Sequence, residues 1–152
     1  MRVTLRQVRA GYRSQQLPVF VRMLDKDTAW GHDNGLRSVI PTALESGVLG
    51  YPFVLPDMIG GNGRTAPDRE LFIRWTELTA FLPAMQFSFV PWRYDNDTVD
   101  VVRRFVRLHE TAVGNEIEAA AKDAVLHGTC RHIAIQCRNH RAIIRQPTRS
   151  RR

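Results

Sequence analysis

The chain has 152 residues, 43% of them hydrophobic and 24% charged, which is the length and composition of one ordinary globular domain. That length is too short for a complete (β/α)8 barrel, which typically needs about 250 residues, and no apolar run approaches the roughly 20 residues of a membrane span. The net charge of +7 arises at the end of the chain, because residues 131–152 contain seven arginines and no acid or lysine, so residues 1–130 are neutral overall.

The first apolar run covers residues 17–23 (LPVFVRM) and predicts a buried strand. Two acids, Asp25 and Asp27, follow it directly. In parallel α/β proteins the chemistry lies where strands end, so both acids are candidates for a catalytic role. Taken alone, the pattern also fits solvated loop acids on either side of Lys26.

A helix is predicted next over residues 35–45, because its apolar positions share one face. Asn34 or Asp33 is expected to cap its first turn. Pro41 predicts either a kink or a position early in the helix, since proline lacks the amide hydrogen that an inner turn requires.

A second apolar run, residues 51–55, predicts a strand that delivers Asp57 into a loop with three glycines. Asp57 is either part of a site at the strand end or the cap of a turn. A helix over residues 69–82 follows, opened by Asp68 and Glu70, because acids near a helix N-terminus interact favourably with its dipole. Its predicted apolar stripe consists of Leu71, Phe72, Trp75, Leu78, Thr79 and Leu82.

A third run, residues 85–90, predicts another strand, and the segment from Asp95 predicts the cap of a helix over 99–111. Gly114 is expected to interrupt this helix, which resumes as an alanine-rich helix over 117–126.

Strand, loop and helix thus repeat about three times, which predicts an α/β fold with three or four parallel strands. These are too few to close a barrel, and the first begins near Met1, so we expect the chain to start inside a larger unit. Beyond residue 128 the pattern dissolves except for the strand-like HIAIQ, which predicts an irregular, disordered, arginine-rich tail over 129–152. Cys130 and Cys137 match no standard zinc spacing, so no metal site is predicted.

Three stretches resemble glycoside hydrolase family 31: VRAGYRSQQLPVFVRMLDKD, NGLRSVIPTALESGVLGYPFVLPDMIGGNG and RELFIRWTELTAFLPAMQFSFVPWRYD. They are similar above all to an animal branch of the family. The resemblance implies that residues 1–128 are the C-terminal portion of a (β/α)8 (TIM) barrel. It also implies a retaining α-glycosidase that acts on an α-linked hexoside without a cofactor, using one aspartate as nucleophile and another as acid/base.

Matched residue by residue, the family implies that Arg9 in VRAGYR binds substrate and that Asp25 is the acid/base. Asp25 is preferred because the segment before it aligns without insertion, whereas alignment backward from residues 36–40 points to Asp27. Asp57 matches the aspartate of the family's strand-end motif G-A-D-I-C-G-F, here L-P-D-M-I-G-G, and is expected to line the sugar site.

Two departures from the family pattern limit what the resemblance implies. The family's nucleophile lies upstream in a motif ending in a K-x-D-like signature, and no such segment precedes Arg9, so the chain alone is expected to be nearly inactive. The sugar-binding histidine of α-glucosidase members is replaced by Gln86–Phe87–Ser88, which leaves galactose or another hexose open. Trp92 is expected to bind substrate by stacking on a sugar ring.

Three functions stay open: an enzyme fragment with the acid/base but without the nucleophile, a non-catalytic sugar- or protein-binding fragment, and a nucleic-acid binder that uses the tail. The confinement of the charge to the tail argues against nucleic acid. Asn96–Asp97–Thr98 is a glycosylation sequon. The resemblance implies the endoplasmic reticulum or secretory pathway, although the first residues show no secretory signal. The sequence specifies no oligomeric state.

Overall fold

The computed structural model describes residues 7–9 and 11–127, so the predicted basic tail, its HIAIQ strand and the two cysteines lie outside the described residues. The elements in chain order are β1 (Gln7–Val8), β2 (Phe20–Arg22), a 3-10 helix (Leu36–Ser38), α1 (Val39–Val48), β3 (Val54–Leu55), α2 (Arg69–Thr79), a second 3-10 helix (Pro91–Arg93), α3 (Asn96–Leu108), a π-helical turn (His109–Val113) and α4 (Gly114–His127). None of these helices combines the length and the apolar character that crossing a membrane requires.

The three strands form one parallel sheet in the order β1-β2-β3, which confirms the predicted parallel arrangement. Val21 of β2 is paired with Val8 on one side and with Val54 on the other. Beyond β3, an isolated parallel bridge joins Ile59 to Phe87 and adds a fourth chain segment to this row. All these strands therefore end at the same edge of the sheet, where side chains from distant parts of the sequence meet.

The strands are shorter than the apolar runs that predict them. β2 covers three of residues 17–23, and β3 covers two of residues 51–55. The predicted strand over 85–90 is wrong as an element, because only Phe87 forms a bridge there. Two glycines directly after Ile59, with φ of +101° and +73°, turn its chain away after a single pairing.

The helix after the Asp25–Asp27 loop begins without a side-chain cap. The predicted cap by Asn34 or Asp33 is wrong: Gly35 takes the N-cap position, where no side chain forms a capping hydrogen bond. The amide of Asn34 instead donates to the carbonyl oxygen of Asp25 at 3.0 Å, so it serves the loop before the helix. Pro41 is the third residue of α1, which confirms the early position that avoids a lost hydrogen bond.

α2 supplies the centre of the core. The Asp68 carboxylate accepts a hydrogen bond from the Leu71 amide at 2.8 Å and caps the helix as predicted. Phe72 and Trp75 are fully buried, and the Tyr94 ring stacks on Phe72 with centroids 4.9 Å apart. Five members of the predicted stripe are buried: Leu71, Phe72, Trp75, Thr79 and Leu82.

The last helices form one continuous path. Asp95 caps α3 by accepting from the Thr98 amide at 2.7 Å, as predicted. The predicted interruption at Gly114 is wrong, because a π-helical turn carries the chain from α3 into α4. This turn is anchored by the His109 ring, whose Nδ1 lies 2.9 Å from the carbonyl oxygen of Ala80. α4 then passes an apolar pocket at the sheet that is lined by Phe20, Pro52, Phe53, Ile117, Ala120 and Ala124.

We expect Trp75→Ala to lower the free energy of unfolding by about 3–5 kcal/mol, because it leaves a cavity at the centre of the core. Trp92→Ala is the matched control: Trp92 is 72% exposed, so its loss should have little effect on stability. Urea unfolding followed by circular dichroism measures both. Equal effects of the two substitutions would contradict the described core.

Candidate active site

A cluster of polar side chains lies at the carboxyl-terminal edge of the sheet. Arg22 is the last residue of β2, Asp57 follows β3 by two positions, and Gln86 precedes the bridge residue Phe87. The guanidinium of Arg22 donates to the Asp57 carboxylate at 3.1 Å and to the Gln86 side-chain oxygen at 2.6 Å. One arginine thus joins three neighbouring chain segments of the sheet.

Asp57 is the most buried member of the cluster, with 1% of its surface exposed. Its Oδ1 accepts from Arg22, and its Oδ2 accepts from the backbone amide of Lys26 at 2.7 Å and from the side-chain amide of Asn62. A buried carboxylate requires such donors and an opposite charge, because water no longer solvates it. Both carboxylate oxygens are therefore engaged by the protein itself.

Lys26, between the two candidate acids, turns into the protein. Only 5% of its surface is exposed, and its ammonium donates to the hydroxyls of Ser38 at 2.9 Å and Thr42 at 3.1 Å. Burial lowers the pKa of Lys26 below its usual value of 10.5, while the negative charges of Asp57 and Asp27 oppose this shift. Asp25 and Asp27 on either side of it are exposed, so Lys26 alone of the three is buried.

The structure brings together two of the residues that the family resemblance singles out. The guanidinium of Arg9, directly after β1, lies 2.6 Å from Oδ1 of Asp25, after β2. Both side chains are about half exposed, so they are accessible from solvent. Because β1 and β2 are parallel neighbours, the ends of the two strands bring together residues that are sixteen positions apart in the chain.

Asp27 lies in a different setting. It is exposed, and within residues 7–9 and 11–127 its carboxylate forms no hydrogen bond or ion pair. Its backbone amide donates to the carbonyl oxygen of Asn34 at 3.0 Å. The glycine loop packs tightly behind it: a Cβ on Gly61 would lie 2.8 Å from the Asp27 carbonyl carbon, so only glycine permits this approach. Gly61 also has a φ of +73°, which favours glycine independently.

Trp92 follows the Phe87 bridge on the short helix Pro91–Arg93 and is largely exposed. In the part of the chain that the structure describes, no hydrogen bond or ring contact joins it to Arg9, Asp25 or Asp57. The structure thus pairs Arg9 with Asp25. Separately, it pairs Asp57 with the peptide of Lys26. Trp92 belongs to neither pair.

Sequence reasoning missed three members of the cluster, Arg22, Lys26 and Asn62, and named Gln86 only as part of the segment that replaces the family's histidine. A charged residue inside the apolar run LPVFVRM was the available signal for Arg22, since a charge on a buried strand requires a partner. No comparable signal identifies Lys26, because it lies between two acids in a polar loop. Among the described residues no group of three or more His, Cys, Asp and Glu is arranged to hold a metal ion.

Comparison with known proteins gives one family. The family model described as the glycosyl hydrolases family 31 TIM-barrel domain matches residues 8–112. The chain is 50% identical over 120 residues to the myogenesis-regulating glycosidase of Mus musculus. This match covers 72% of the chain and 17% of that protein. It is 44% identical over 110 residues to the SITS-binding protein of Tetronarce californica, and this match covers 70% of the chain and 16% of that protein. The glucosidase 2 subunit alpha of Schizosaccharomyces pombe is 35% identical over 91 residues, 55% of this chain and 9% of that protein. The matched stretch therefore spans between 9% and 17% of the length of these relatives.

The buried ammonium of Lys26 should make stability depend on pH in the alkaline range. Its pKa is lower in the folded protein than in the unfolded chain, so near and below 10.5 the unfolded chain holds more protons at this site. The stability of the protein relative to Lys26→Met should therefore rise as the pH increases toward 10.5. Urea unfolding at a series of pH values measures this difference.

The matched control is Lys122→Met, which removes an exposed ammonium from α4. A Lys26→Met difference that stays constant with pH, or that falls as pH rises, would contradict the burial of Lys26.

Proposed function

Since the chain belongs to glycoside hydrolase family 31, we propose that its strand ends form the acid/base side of the active site of a retaining α-glycosidase. The family match over residues 8–112 supports the reaction class. The observation that carries the assignment is the 2.6 Å contact between Arg9 and Asp25. The resemblance names these two residues independently, and the parallel pairing of β1 and β2 brings their side chains together.

In this proposal the carboxyl group of Asp25 protonates the glycosidic oxygen as the bond to the anomeric carbon breaks. The nucleophile, an aspartate from family sequence that precedes the matched stretch, forms the covalent glycosyl intermediate. The Asp25 carboxylate then takes a proton from water, which attacks the intermediate and restores both groups. Asp27 is the alternative acid/base, because it is exposed on the same loop two residues further on.

Arg9 and Trp92 are assigned to substrate binding. The Arg9 guanidinium orients the Asp25 carboxylate and has further donors for sugar hydroxyls. The exposed ring of Trp92 offers a flat apolar face on which a hexose can stack. The proposed substrate is an α-linked hexoside. Asp57, which the resemblance also assigns to the sugar site, has both oxygens engaged by protein donors and is proposed to lie beneath the bound sugar.

The alternative is a protein that binds sugar without turnover. The exposed Trp92 and the accessible Arg9–Asp25 pair favour it, since both suit sugar binding and neither requires a nucleophile. The two candidate functions differ in hydrolysis and not in binding, so an activity measurement separates them. Binding of nucleic acid through residues 131–152 has no support from the described residues, because that segment lies outside them.

The decisive experiment replaces the corresponding stretch of mouse myogenesis-regulating glycosidase with residues 8–112 of this chain and measures the hydrolysis of aryl α-glycosides. We expect turnover by the chimera and only background hydrolysis by the 152-residue chain alone. Asp25→Asn should lower kcat about 10²–10⁴-fold for poor leaving groups, much less for nitrophenyl leaving groups that need no proton. Azide should restore part of the loss, because it attacks the intermediate without a general base.

Asp33→Asn provides the matched control, since Asp33 is an exposed acid of the following loop. If Asp27→Asn shows the leaving-group dependence and azide rescue while Asp25→Asn does not, the acid/base is Asp27. A chimera that binds the glycosides but does not hydrolyse them would reject the enzyme in favour of the binding alternative.

A further inference from the structure

We propose that Asp57 is a positioning residue, whose buried carboxylate fixes the Lys26 peptide and with it the placement of the acids on either side. This inference rests on the proposed function, because it concerns the loop that carries the proton donor. It also assigns a role to Asp57, which takes no part in the proposed proton transfers or in the nucleophilic attack. The geometry is specific: the residue held by Asp57 is the one between Asp25 and Asp27.

The peptide groups on both sides of Lys26 are held by the glycine-rich loop that follows β3. The Lys26 amide donates to Asp57 Oδ2 at 2.7 Å, and the Lys26 carbonyl oxygen accepts from the Asn62 amide at 2.8 Å. Thr28 adds a further contact between the two loops, because its hydroxyl donates to the Gly60 carbonyl oxygen at 2.8 Å. The loop that carries the acids is therefore bound to the Asp57–Gly63 loop along its length.

The side chain of Lys26 forms a second anchor in another direction. Its ammonium bonds Ser38 and Thr42 at the start of α1, so the residue is held both at the backbone and at the tip of the side chain. Asp25 and Asp27 are exposed while Lys26 is buried. This alternation directs the two carboxylates outward and leaves the intervening residue as the attachment to the protein.

Asp57 is itself immobilised by charge. The Arg22 guanidinium lies 3.1 Å from Oδ1 of Asp57 and also donates to the side-chain oxygen of Gln86. The ion pair thus joins the ends of β2 and β3 and has a third contact at Gln86. Replacing the carboxylate by an amide removes the negative charge and turns one acceptor into a donor that faces the donors of Arg22 or Lys26. The loop should then shift, although the size of the side chain is unchanged.

Such a shift matters because general acid catalysis requires the carboxyl group within about 2.6–3.2 Å of the leaving oxygen. A displacement of about 1 Å costs on the order of 100-fold in rate. Substrate binding through Arg9 and Trp92 depends less on the Lys26 peptide, since Arg9 follows β1 and Trp92 follows the Phe87 bridge. The expected signature is a loss in kcat with little change in KM.

Nuclear magnetic resonance tests the positioning directly in the 152-residue chain. We expect a scalar coupling across the hydrogen bond between the Lys26 amide nitrogen and the Asp57 carboxyl carbon. Asp57→Asn should speed hydrogen exchange of the Lys26 amide about tenfold or more and move the carboxyl carbon signals of Asp25 and Asp27. The matched control, Asp100→Asn, removes an equally charged but exposed acid of α3 and should change none of these signals.

Absence of the coupling in the unsubstituted chain, or unchanged Lys26 exchange in a folded Asp57→Asn variant, overturns the proposal. If Asp57→Asn does not fold, the coupling decides alone. In the active chimera, Asp57→Asn should lower kcat about tenfold or more with KM within about twofold. A change in KM alone overturns the positioning role. Should the chimera be inactive, the proposed function fails while both spectroscopic readouts still decide this inference.

Discussion

Arg22 and Asp57 carry opposite charges into the interior at the ends of two neighbouring strands, and their side chains are only 10% and 0% exposed. Neither charge is stable there alone, because removing one partner of a buried pair leaves an uncompensated charge at a cost of about 3–5 kcal/mol. The register of β2 against β3 brings them to 3.1 Å. Through Asp57 the pair holds the acid-bearing loop, and through Gln86 it holds the next chain segment.

The two faces of β2 carry different side chains. Val54, which pairs with Val21 of β2, belongs to the apolar cluster around Trp75 and Phe72. Successive side chains of a strand point to opposite faces of the sheet. Arg22 is therefore on the same face as Phe20, and Val21 is on the other face. On the face of Phe20 and Arg22 the strand begins in an apolar pocket beside α4 and ends in the polar cluster, which concentrates the chemistry at one edge.

Local signals in the sequence predicted the features that depend on neighbouring residues. The caps at Asp68 and Asp95, the early position of Pro41 and the buried stripe of α2 follow from rules that act within one or two turns. The run before Asp57 likewise identified a strand end. The resemblance, and not the pattern, singled out Arg9 and Asp25 as a pair.

The features that sequence missed depend on contacts between distant segments. Lys26 is buried because Ser38 and Thr42 receive its ammonium and Asp57 receives its amide, and nothing near Lys26 in the chain indicates either contact. The run over residues 85–90 has the composition of a strand, but its neighbour turns away at two glycines of positive φ.

A double-mutant cycle between Arg22 and Asp57 tests the central claim most directly. The free energy of unfolding is measured for the unsubstituted chain, Asp57→Asn, Arg22→Met and the double variant. A buried pair that organises the site should give a coupling energy of about 2 kcal/mol. The double variant should then lose less free energy of unfolding than the sum of the losses in the two single variants. A coupling below about 0.5 kcal/mol would contradict the account, because the two side chains would then act independently.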